Sequence, residues 1–129
     1  MIRRVGLAAV VLHALIVVAH GIAHAKLGVE LSVLQTGYVV VVIAVAPIVA
    51  SVLLWTRLSW SSWFLLTVSM AGALVFGLYW HSVAISPDHV SHLPEGTFQG
   101  MFQLTALLLV FSEAFGTVVG VWGLTKGSG

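Results

Sequence analysis

Histidine carries most of the chemistry open to this chain. Three of its imidazoles stand in HALIVVAHGIAH, at positions 13, 20 and 24. At about 100° per residue, i, i+7 and i+11 fall on one face of a helix. The surrounding residues are Val, Ala, Leu and Ile, and an ionisable ring among them is costly unless it faces a protein interior or a wet cavity. The other three, His81, His89 and His92, stand in HSVAISPDHVSHLPEG. Neutral imidazole ligates metal ions and also trades protons near neutral pH, so the grouping points to a metal site or to proton handling.

Spacing sharpens the first of these. His20 and His24 form an i, i+4 pair on one helix. Ser86 as an N-cap and Pro87 at a first helical position predict a short helix after them. On that helix His89 and His92 would be i, i+3 neighbours and Asp88 and His92 i, i+4 neighbours. The expected ligands are therefore His20, His24, His89 and His92, with His81 and Asp88 beside them and Glu95 within reach. Such a nitrogen and oxygen set suits Zn, Cu(II), Fe or Mn. The chain has no cysteine, which removes thiolate sites, iron–sulfur clusters and thiol nucleophiles; Met101 is the one thioether near the set. A b-type haem between two histidines is the lesser alternative. His24 and His81 match in depth only at the rim, and His20 meets no deep histidine on another helix.

Glu113 heads a second constellation. It shares a helix face with Gln99, Gln103 and Thr117, at a depth close to that of His13. A carboxyl in an apolar span is costly unless it is partnered. The expectation is a bundle-facing Glu113 paired with His13, as a static hydrogen bond or as a proton relay running outward through His20.

The elements that must position these groups follow from composition. Hydrophobic residues make up 60% of the 129 residues and charged residues only 7%, against roughly 25% charged in soluble domains. With a mean hydropathy of +1.11, the chain is expected to form one membrane domain over its whole length, 1–129. A net charge of +1 offers no basic patch, so nucleic acid is not an expected partner. No G-x-S-x-G or phosphate-cradling glycine loop is present.

At about 20 apolar residues per crossing, spans are expected at about 5–25, 34–56, 62–81 and 98–124, with a loop at about 82–97. Pro47 should kink the second span and free the carbonyl of Ile43. The start of the chain also reads as a signal peptide, basic residues before an apolar run and Ala23-His24-Ala25 as its cleavage site. The run is long for that role, so a retained first span is expected. Arg3, Arg4, Arg57 and Lys126 all fall on one side of four spans, which predicts cytoplasmic termini. Trp55, Trp60, Trp63 and Trp122 are expected near that inner boundary, and Tyr38, Tyr79 and Trp80 near the outer one. Gly116-x-x-x-Gly120, Ala46-x-x-x-Ala50, Gly72 and Gly77 favour close helix packing.

The predicted fold is thus all-α: an integral membrane four-helix bundle, up-down-up-down, in the cytoplasmic membrane if the source is a bacterium. His24 then lies roughly 30 Å from the Arg3 end, and His20 one turn deeper. Five of the six histidines converge on the outer face. Two readings follow. The first is a small membrane protein with a metal site, or less readily a haem, coupled to the His13/Glu113 pair. The second is an accessory subunit of a larger membrane complex, or of a homo-oligomer, whose polar residues secure helix contacts. A proton-coupled carrier would need oligomerisation to enclose a pathway.

Overall fold

Four stretches are long and apolar enough to cross a membrane, and each is a helix in the computed structural model, which describes residues 1–126. They are α1 (Ile2–Leu27), α2 (Val33–Leu53), α3 (Ser59–Val83) and α4 (Gln99–Lys126). No strand occurs among the described residues. The apolar surface faces outward: Leu15, Val18, Val41, Phe111 and Val118 are all exposed. A soluble protein leaves no such continuous apolar surface in water, whereas a bilayer covers it. The chain therefore reads as an integral membrane protein.

Local chemistry sets the helix ends. Gly28 takes the left-handed conformation, φ 66°, and lets the Val29 N–H reach back to the His24 carbonyl at 3.1 Å. Glycine alone adopts that geometry without a steric penalty. Ser32 and Gln35 then form a reciprocal capping box that starts α2. At the other end of α2 the Thr56 hydroxyl donates to the Leu53 carbonyl and accepts from the Leu58 N–H. That turn stops α2 a few residues before the expected boundary.

Two of the helices contain π-helical turns, at Val39–Val45 in α2 and Tyr79–Val83 in α3. The first lies immediately before Pro47, whose ring removes the N–H that would pair with the Ile43 carbonyl. That carbonyl accepts a hydrogen bond from His13 Nε2 at 3.0 Å. A histidine on α1 thus fills the gap that a proline opens in α2. Replacing His13 with Leu is expected to cost about 1–3 kcal/mol by leaving the acceptor without this donor. In a Pro47→Ala background the cost should shrink, because residue 47 regains its N–H; unfolding in detergent across the double-mutant cycle measures this. Equal costs in the two backgrounds would defeat the explanation.

The core near the start of α1 is built on glycines. Trp63 of α3 is 2% exposed and packs with Val10, Leu54, Leu66, Met70 and Val119. Its indole faces the core, because Gly6 and Gly123 leave room for it. Along the α3–α4 seam Trp63, Thr67 and Met70 meet Gly123, Gly120 and Gly116 in turn. Small residues on one helix admit large ones from the other, which is how membrane helices gain packing without a hydrophobic driving force.

Candidate metal centre

At the opposite end from that core, α1 and α3 bring three imidazoles together. His20, His24 and His81 each offer a ring nitrogen, and these lie within 4.8 Å of one another. The triad is near enough to hold a metal ion. His20 and His24 come from one helix face, as their spacing requires. His81 arrives from the π turn of α3. Phe102 of α4, fully buried, floors all three, with ring centroids 4.5, 4.7 and 5.4 Å from His20, His24 and His81.

Hydrogen bonds at the far side of each ring determine what the near side presents. His24 Nδ1 lies 3.1 Å from the Val29 carbonyl and His81 Nδ1 lies 2.9 Å from the Asp88 carbonyl. A carbonyl only accepts, so both Nδ1 atoms carry the proton. His20 Nδ1 lies 2.8 Å from the Thr105 hydroxyl, whose own hydrogen goes to the Met101 carbonyl at 2.7 Å. That nitrogen is also a donor. The Nε2 atom of each neutral ring is consequently a free lone pair.

These lone pairs do not point to solvent. His20 Nε2 and His81 Nε2 face each other at 3.3 Å. His24 Nε2 faces Asp88 Oδ1 at 3.1 Å, and that oxygen is 3.5 Å from His81 Nδ1. Lone pair against lone pair, and lone pair against carboxylate, are repulsive unless a cation sits among them. Two protons could serve only by charging two rings whose centroids are 4.8–6.1 Å apart. One divalent ion among the three imidazoles would relieve the facing ring nitrogens at once, with the Asp88 carboxylate beside it. Two nitrogens 3.3 Å apart also match the separation of tetrahedral ligands at about 2.0–2.1 Å from zinc.

Asp88 reaches the cluster because the loop after α3 folds back. The Val90 N–H donates to the His81 carbonyl at 3.0 Å and Gln103 donates to the Val90 carbonyl at 3.1 Å. Leu93 packs beside Val29, Ala23 and Phe102. Asp88 is 3% exposed. Burial pushes its carboxyl up, but the hydrogen bond from His24 and the attraction of His81, His24 and His20 in their protonated forms outweigh it, leaving it below the usual carboxylate range. A carboxylate lowered on folding stabilises the fold above about pH 3.9, and that contribution fades as the pH falls through the lowered value.

Other sequence expectations meet a different geometry. Residues 86–92 form two successive turns, His89 N–H to Ser86 carbonyl and His92 N–H to His89 carbonyl, and no helix. The Ser86 hydroxyl donates to the Trp80 carbonyl instead of capping a helix. The His89 and His92 rings lie tilted against each other at 4.8 Å, with the Ser91 hydroxyl on His89 Nδ1, and they are not in the converging triad. Asp88 turns inward to His24 and His81 in place of His92. Glu95 is exposed. Glu113 faces the bundle interior at 2% exposure, but its carboxyl makes no hydrogen bond to His13, which is engaged by Ile43; Glu113 Oε2 and His13 Nδ1 have no partner among the described residues. Val29, Phe102 and Thr105 position the rings, and only the Thr105 hydroxyl among them had polarity to suggest it.

Below the triad lies a cavity of about 330 Å³, walled by all four helices, with His20, His24, His81 and Asp88 at one end and Glu113 at the other. No family model matches this chain, and no curated protein or solved structure matches it either.

Proposed function

We propose that this protein is a four-span, up-down-up-down membrane protein with cytoplasmic termini that holds one divalent transition-metal ion at its outer rim. His20, His24 and His81 supply Nε2 ligands and Asp88 supplies a carboxylate oxygen. The observation that carries the reading is the convergence of one ring nitrogen from each of His20, His24 and His81, with His20 Nε2 facing His81 Nε2, His24 Nε2 facing Asp88, and each ring fixed by a hydrogen bond at its own Nδ1. Metal-bound histidines characteristically donate their second nitrogen to a carbonyl, carboxylate or water in this way. Three imidazoles and a carboxylate favour zinc or copper(II) over softer ions. Three histidines would leave a position on the ion for Asp88 or for water.

The test is elemental analysis with an absorption spectrum on protein purified in detergent without chelators or a metal-affinity tag. Wild type should carry close to one ion per chain, and a His20→Ala/His24→Ala variant should carry none. Metal-free wild type that also fails to bind added zinc or copper(II) would overturn the reading and leave the accessory-subunit role in its place.

A further inference from the structure

The cavity beneath the triad contains a feature that the metal site does not use. Glu113 is 2% exposed, lines the cavity, and has an Oε2 atom with no hydrogen-bond partner. Buried polar atoms in folded proteins are nearly all partnered, so one left over in a cavity wall marks where a partner would arrive. No lysine or arginine lines the cavity, which disfavours an anionic occupant. Away from Glu113 and the histidine end, the walls are mainly aliphatic and aromatic, with Val17, Ile43, Phe76 and Leu109 among them.

We propose that this cavity binds a neutral, largely apolar molecule bearing a hydroxyl group, drawn from the bilayer, with the hydroxyl on the Glu113 carboxyl. A hydroxyl both donates and accepts, so it satisfies the carboxyl in either protonation state. At about 330 Å³ the space is roughly twice the ~150 Å³ that holds benzene in an engineered protein cavity. A phenol with a short alkyl chain fits that volume. The site shares walls with the metal centre but needs no ion for this contact.

Gly21 supplies the test. It lies on the cavity-lining stripe Val17, Gly21, Ala25 of α1, and a Cβ built there meets nothing within 4 Å. Gly21 is exposed and its Cβ position open, so Gly21→Leu adds side-chain bulk at the cavity wall with no neighbour against its Cβ. The probe is radiolabelled 4-hexylphenol, measured by equilibrium dialysis against protein in lipid nanodiscs with empty discs as the baseline. Wild type should show one saturable site per chain. Glu113→Gln, whose amide also donates and accepts, should keep it, while Glu113→Leu and Gly21→Leu should weaken it by about tenfold or more. Absence of saturable binding to wild type overturns the proposal. So does undiminished binding to Glu113→Leu, the result expected if bilayer acyl chains simply fill the cavity. Metal content is read on the same samples, before and after chelation, so phenol binding without metal separates this proposal from the one above.

Discussion

His81→Ala is expected to weaken zinc or copper(II) binding by more than about 100-fold, read by competition with a chromophoric chelator. The size follows from geometry. His81 alone brings a ring nitrogen to the cluster from a helix other than α1, and its removal leaves His20 Nε2 facing empty space at the position now 3.3 Å away. It also releases the Asp88 carbonyl from its bond with His81 Nδ1. Thr105→Val tests the same arrangement one step back. It keeps the ligands but removes the acceptor that fixes the His20 tautomer, and should cost about 10–100-fold. Affinity should fall with pH in both variants and in wild type, since protons compete for the imidazoles. His89→Ala and His92→Ala should leave affinity within about threefold of wild type, because neither ring belongs to the triad. A larger effect from His89 than from His81 would reject the ligand assignment.

Gly123→Leu should be the most damaging substitution outside the site. A Cβ at position 123 falls on the Trp63 indole, which is 2% exposed and braced from the other side where a Cβ at Gly6 would come within 2.9 Å. The ring has nowhere to move. At Gly120 the obstacle is Thr67, its hydroxyl oxygen nearest and its backbone close behind, with N at 2.9 Å and Cα at 3.0 Å. Gly116 differs in kind, because the neighbour there is the flexible side chain of Met70. The expected order of cost in detergent unfolding is therefore Gly123→Leu, then Gly120→Ala, then Gly116→Ala. Overpacking typically costs about 1–3 kcal/mol, and the first should exceed that range while the last stays near its lower end. Gly116→Ala proving as harmful as Gly123→Leu would mean the seam does not discriminate as described.

The membrane helices were legible because hydropathy integrates over some twenty residues and tolerates local error. The Ile43 carbonyl was legible for a different reason: proline removes a donor wherever it stands. Its partner was not. Nothing along α1 or α2 sets their relative register, so His13 looked equally able to reach Glu113. The same limit governs the site. His20 and His24 are neighbours by helix geometry alone, and depth placed His81 beside them. The loop histidines were assigned from an assumed helical spacing, whereas the chain there turns twice and sends Asp88 inward. Thr105 and Phe102 became relevant only through the packing of α4 against α1, which no single-helix pattern encodes.

The π turn at Tyr79–Val83 gives the centre an unusual genetic address. There the Ala84 N–H reaches five residues back, to the Tyr79 carbonyl at 2.7 Å, so the turn holds one residue more than an α-helix would. In effect it is an accommodated insertion. Deleting codon 79 or 80 would return the ladder to α-helical spacing and leave everything before Tyr79 in register. His81 would swing by about 100° around the helix, out of line with His20. A single length change thus separates a chain with three converging imidazoles from one with two, while the bundle that carries them stays the same.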